Sequence, residues 1–178
     1  MKKTLLTILL VVGASQVFAA ERPNLQIFRD VEKQVTHYIY FTIFDSVHAA
    51  LDEGVVTLTG RVTLPYKADA IAKRVSRVTG VTAVRNRIGV LPVSGFDDDL
   101  RLSMARALYA HPALSQYARG ANPPIHLIVE RGRVTIEGVV NNHSDRLIAT
   151  QVARAFATFG VTNSLQTSEE VKEQLERL

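Results

Sequence analysis

Apolar residues in this chain recur with two different periods, and the switches between them mark out structural elements. Phe28, Val31, Val35 and Tyr38 stand three or four apart, the spacing of one helix face. From Phe41 to Leu51 the residues are apolar and β-branched without that spacing, which predicts a strand. Asp52-Glu53-Gly54 reads as a turn. Val56, Leu58 and Val62 then alternate with Thr57, Thr59 and Arg61, the mark of a half-buried strand. After Pro65, Tyr66 to Val78 returns to helical spacing with Ile71, Val75 and Val78 on one face. Gly80 closes that helix, and Ala83 to Leu91 supplies a last strand. The predicted order is α-β-β-α-β.

The same order occurs twice. Gly54 to Val62 reads GVVTLTGRV, and 78 residues later Gly132 to Val140 reads GRVTIEGVV, so both fit G-x-V-T-[L/I]-x-G-x-V. Ile71 to Arg77 matches Ile148 to Arg154 as I-A-x-x-V-x-R, and Val84, Asn86 and Ile88 fall on Val161, Asn163 and Leu165. Three matches in one order indicate an internal duplication. The expected architecture is α+β: a first module over residues 20–93, a second over 94–168, and a short helical tail over 169–178. In each module two strands form a hairpin and the third arrives by a helical crossover, giving a small three-stranded mixed sheet packed by two helices. Gly54 and Gly132 belong to turns. Gly60 and Gly138 lie inside strands, where glycine marks a bulge or a close backbone approach, and all four are read as structural. The second copy has a longer stretch before its first strand, with His111-Pro112 and Gly120 to Pro124, where a protruding loop is expected. Thr167 and Glu170 have the spacing of a capping box for the tail helix, in which Val171, Leu175 and Leu178 share a face.

These twin segments, each followed by an I-A-x-x-V-x-R helix, resemble tandem BON domains over about residues 24–167. The resemblance implies the α-β-β-α-β fold, a periplasmic home and a non-enzymatic role in phospholipid interaction and envelope stability under osmotic stress.

The N-terminus agrees with export. Lys2 and Lys3 precede an apolar run from Thr4 to Ala14, and Val17-Phe18-Ala19 offers a small-residue cleavage site, so residues 1–19 read as a signal peptide. The apolar run is too short for a membrane span. The chain has no cysteine, which removes lipoprotein attachment, disulfides and thiolate chemistry together. Without Lys2 and Lys3 the net charge falls from +4 to +2, too small an excess to indicate nucleic acid.

Candidate chemistry is sparse. No hydrolase, zincin, P-loop or dinucleotide-binding motif occurs, so no catalytic residues and no cofactor are expected. His48 and His126 are equivalent by the repeat but read as half-exposed strand residues, and Asp97-Asp98-Asp99 reads as a helix start, so no metal is expected. Charge is more informative: residues 22–93 hold ten basic and six acidic groups, against seven and six in residues 94–168. Lys67, Lys73, Arg74 and Arg77 on the second helix and Arg85 and Arg87 on the following strand form the expected contact with anionic phospholipid. At about 1 kcal/mol per basic group, four groups reach only about millimolar affinity, so stable attachment would need either apolar insertion, for which Tyr38, Tyr40 and Phe41 are available, or several copies acting together. The three aspartates opening the second module should be repelled by the same lipids. The alternative is a protein-binding or chaperone-like module for exported envelope proteins.

Overall fold

Val56, Leu58 and Val62 are fully buried while the residues between them stay partly open, so the alternation read in the sequence becomes a sheet with one covered face. The computed structural model describes residues 24–120 and 122–176. The expected signal peptide and Leu178 lie outside the described residues. The first module runs α1 (Asn24–Thr36), β1 (Ser46–Asp52), β2 (Val55–Val62), α2 (Pro65–Val75), β3 (Ala83–Asn86) and β4 (Gly89–Val90). The second runs α3 (Gly95–Ala110), a short 3-10 turn (Ser115–Ala118), β5 (Ile125–Glu130), β6 (Arg133–Val140), α4 (His143–Arg154) and β7 (Gly160–Thr167), with α5 (Ser168–Glu176) as the tail.

Each sheet is mixed. β1 and β2 are antiparallel, as are β5 and β6, while β3 and β4 run parallel to β2 and β7 parallel to β6. The chain is therefore α+β with two small sheets, as the repeat requires. Both hairpins turn on two residues with positive φ, Glu53-Gly54 and Arg131-Gly132, the backbone twist that suits a tight hairpin. Gly60 and Gly138 sit at φ +119° and +120°, where an added Cβ would lie 2.1 Å from the Ser46 carbonyl oxygen and 1.8 Å from that of Pro124. The neighbouring chain crosses there too closely for any side chain.

Several boundaries differ from the sequence reading. The stretch from Phe41 to Asp45 is a turn rather than the start of a strand, held by Asp45 N–H donating to the Thr42 carbonyl at 3.0 Å. α1 buries Ile27, Val31 and Val35 and ends before Tyr38. The third strand of the first module is interrupted at Asn86, whose amide donates to the Ala68 carbonyl of α2 while its Oδ1 accepts from Ile88 N–H. Asn163 does the same for the Arg146 carbonyl and Leu165 N–H, so the repeated asparagine clamps helix to sheet in both modules. In the stretch before β5, Leu114 and Tyr117 fold back onto the core, Leu114 fully buried and Tyr117 6% exposed, while Gly120, Asn122 and Pro124 stay exposed.

Two apolar cores result. One gathers Ile27, Val31, Leu58, Ile71 and Val75, the other Met104, Leu108, Leu127, Ile136 and Ala153. They are not independent, because Ile43 and Phe44 leave the first module to pack against the second core, and Leu127 N–H donates to the Ile43 carbonyl at 2.7 Å.

Candidate functional site: a basic aromatic corner and a junction groove

The six basic residues singled out by sequence do not form one patch. Lys67 is 3% exposed, and its ammonium donates to Asp45 Oδ2 at 2.6 Å and to Thr63 Oγ1 at 2.7 Å. It sits in the first turn of α2, facing the turn before β1, and is therefore a structural residue rather than a surface one. Asp45, fully buried, also accepts from the backbone N–H and hydroxyl of both Thr42 and Thr63 at 2.7–2.9 Å. Burial alone would raise its carboxyl; the bonds from Lys67, Thr63 and Thr42 outweigh burial and hold it below the ordinary carboxylate value. Arg85 and Arg87 are exposed, but Asn86 between them points into the helices, so Arg85 faces the opposite side of the sheet.

Lys73, Arg74 and Arg77 remain together on α2. Lys73 and Arg77 are exposed, while Arg74 is half-buried, its Nε donating to the Gln34 carbonyl at 2.9 Å and its guanidinium lying 5.7 Å from the centre of the Tyr38 ring. That contact joins the basic face to an aromatic cluster. Tyr38 and Tyr40 meet edge to face at 5.6 Å, and Tyr40 and Tyr66 at 6.0 Å. Burial, followed by the neighbouring phenols, pushes the Tyr38 hydroxyl up. Around this cluster the chain leaves large apolar groups in water: Ile39 is 83% exposed, Tyr40 53%, Tyr66 50% and Leu64 44%. A cleft of about 310 Å³ opens between α1 and α2, where Lys33 joins Arg74 and Arg77, with Asp30 on the same rim. The sequence offered Tyr38 and Tyr40 as insertion residues, whereas Ile39, Tyr66 and Lys33 were missed because only the fold brings them to this corner. Phe41 turns away and packs 5.4 Å from the His126 ring.

The acidic start of the second module is used internally. Asp97 is 1% exposed and accepts from the backbone N–H of Arg131 and Gly132, both at 2.8 Å, pinning α3 to the β5–β6 turn. Asp98 bonds Arg101, whose side chain is buried. Above the same turn, the Phe96 and Phe159 rings, 58% and 77% exposed, lie over Gly132.

The two modules meet along β1 and β2 of the first and β5 and β6 of the second. His48 Nε2 stands 2.9 Å from Glu137 Oε2, the Ser46 hydroxyl bonds the same oxygen, and Arg61 Nε donates to Glu130 Oε2 at 3.2 Å. The bond to Glu137 raises His48, and the bond from His48 lowers Glu137. His126 is lowered by burial, and its Nδ1 has no partner among the described residues. A groove of about 370 Å³ runs along this seam, with Phe28, Glu32 and Phe41 on one side and His126, Glu137 and Gln166 on the other. Among the described residues no group of three or more His, Asp or Glu is placed to hold a metal, and no helix is long and apolar enough to cross a membrane.

Comparison with known proteins agrees with the repeat. The BON domain family model matches residues 44–92 and 97–176. No curated protein matches the chain. Among solved structures the chain is similar to CdsD, a structural protein of the type III secretion system of Chlamydia trachomatis, with 13% identity over 85% of this chain and 97% of that one and a TM-score of 0.30. It is also similar to a structure of the CdsD C-terminal domain, with 14% identity over 88% of this chain and 71% of that one and a TM-score of 0.35.

Proposed function

The chain belongs to the BON domain family as a tandem pair, and from that membership we propose that it is a non-enzymatic periplasmic protein that maintains the envelope by weak, reversible contact with anionic phospholipid surfaces. BON domains are associated with phospholipid binding and osmotic stress, and the family is not known for catalysis. The observation that carries the reading is the corner where Ile39, Tyr40 and Tyr66 stand exposed beside Lys73, Arg74 and Arg77. Tyrosine is amphipathic and suits the headgroup level, and the guanidinium held on Tyr38 fixes a cation at its edge. Three basic groups contribute about 3 kcal/mol and insertion of Ile39 with part of Tyr40 about 3 kcal/mol more. The sum corresponds to roughly tens of micromolar, tight enough for a crowded membrane surface and loose enough to let go. Co-sedimentation with vesicles of phosphatidylcholine, with and without phosphatidylglycerol, at low and high salt tests it. Binding is expected only with phosphatidylglycerol and only at low salt, and no binding at low salt ends the proposal.

A second reading, docking of an exported polypeptide, is supported by Phe96 and Phe159 over the Gly132 turn. It predicts binding to a protein client that salt does not weaken, with no affinity for vesicles.

A further inference from the structure

His48 and His126 occupy the same place in the two repeats, yet each crosses the seam to the other module and meets opposite chemistry there. His48, on β1, reaches the Glu137 carboxylate on β6, which also takes the Ser46 hydroxyl. His126, on β5, packs on Phe41 and against the backbone of Thr42 and Asp45, with its Nδ1 sealed and unpartnered. One site favours an imidazolium and the other a neutral ring. We propose that the seam between the two modules is a pH-gated clasp, closed when His48 is protonated and His126 is neutral, and loosened by acid and by alkali.

The charged groups around the two rings are few. Glu137 faces both, being bonded to His48 and paired in register with His126 across the hairpin. Asp45 lies below His126, but its carboxylate is already taken by Lys67, Thr42 and Thr63. Glu32 on α1 lines the groove, and the Arg61–Glu130 pair closes the seam elsewhere. The signs follow from linkage. His48 is raised, so its contribution is present below the ordinary histidine value and lost as pH rises through the higher value of the closed form. His126 is lowered, so its contribution is present above the ordinary value and lost as pH falls through the lower one. The clasp is therefore tightest near the ordinary histidine value of about 6.5 and weakens on both sides. Titration of Glu137, itself lowered, lies further into acid.

The chain has no cysteine, so Asp69→Cys with Gln151→Cys places two spin labels, one at an exposed position of α2 and one at an exposed position of α4, without side reactions. The inter-label distance distribution, measured on the full chain from about pH 5 to pH 8, should be narrowest near pH 6.5 and broaden in both directions. His48→Gln should abolish the change on the alkaline side, and His126→Leu the change on the acid side. Histidine titration of the unsubstituted chain by NMR should place His48 above and His126 below the free-peptide value, and Glu137→Gln should return His48 toward it. A distribution that does not move with pH, limbs that survive both substitutions, or the two histidines titrating on the same side would each overturn the clasp. Widening that follows loss of far-UV circular dichroism would also overturn it, by assigning the change to unfolding. None of these outcomes depends on vesicle binding, so the clasp and the lipid reading stand or fall separately.

Discussion

Lys67 Nζ stands 2.6 Å from Asp45 Oδ2, with the two side chains 4% and 0% exposed. The pair fastens the turn before β1 to the first turn of α2, and the second module makes the same joint with different groups. Asp145 takes the position of Lys67 in the repeat, and the Tyr117 hydroxyl does the work of Asp45: it donates to Asp145 at 2.5 Å and accepts from Asn141 N–H at 2.7 Å, where Asp45 accepts from Thr63 N–H. Duplication kept the joint and exchanged its chemistry.

Removing Lys67 leaves a buried carboxylate without its cation, which is costlier than never having had the pair. Lys67→Ala should lower stability to denaturant by about 3–5 kcal/mol, the usual cost of stranding one partner of a buried ion pair. Because the Asp45 carboxyl is held below its ordinary value, its contribution is present above about pH 4 and lost as pH falls through the lower folded value. Urea midpoints measured down the acid range should fall there in the unsubstituted chain.

Gly60→Ala and Gly138→Ala meet backbone rather than yielding side chains. Each adds a methyl about 2 Å from a carbonyl oxygen, at a φ that alanine adopts only under strain. A loss on the order of 3 kcal/mol or more per site is expected by thermal unfolding, since neither the clash nor the dihedral can relax without breaking the hairpin. A substituted module with unchanged stability would show that the close approach is not maintained in solution.

The sequence revealed what repeats at fixed spacing. Gly54, Gly60, Asn86 and their partners Gly132, Gly138 and Asn163 recur in register and take the same backbone or clamping roles. The capping box was also legible: Thr167 N–H donates to Glu170 at 2.8 Å and Glu170 N–H to Thr167 Oγ1 at 3.2 Å. The polar joint was not, because the stretch between first helix and first strand differs in length between copies, so Tyr117 and Asp45 share no aligned position. Lys67 misled for a related reason. Its place on a helix rim depends on which way the preceding turn folds, and periodicity on α2 alone does not report a carboxylate arriving from 22 residues upstream. Ile39 shows the opposite limit: it falls between the helix face that ends at Tyr38 and the apolar run that starts at Phe41, so neither period reports its 83% exposure.

Tyr117→Phe isolates the joint of the second module, because it keeps the ring and removes one oxygen that both donates and accepts. Asn141 N–H and the Asp145 carboxylate each lose a partner in a largely enclosed place. A loss of about 2 kcal/mol is expected by chemical denaturation. Burial pushes the phenol up to about 12, so the native joint should also hold through mildly alkaline pH, with no tyrosinate absorbance from this residue below pH 10.

Vesicle affinity separates the parts of the proposed contact. Ile39→Ser removes most of one exposed apolar side chain, so binding to phosphatidylglycerol vesicles should weaken by about 1.5 kcal/mol, roughly tenfold, with its salt dependence intact. Lys73→Gln and Arg77→Gln should each cost about 1 kcal/mol, roughly fivefold, and each should flatten the salt dependence. Arg85→Gln is the discriminating control, because Arg85 carries the same charge in the same module but faces the opposite side of the sheet. It should leave binding unchanged. If Arg85→Gln weakens binding as much as Lys73→Gln, the membrane senses the module's net charge and no particular corner of it, and the exposure of Ile39 and Tyr40 needs another explanation.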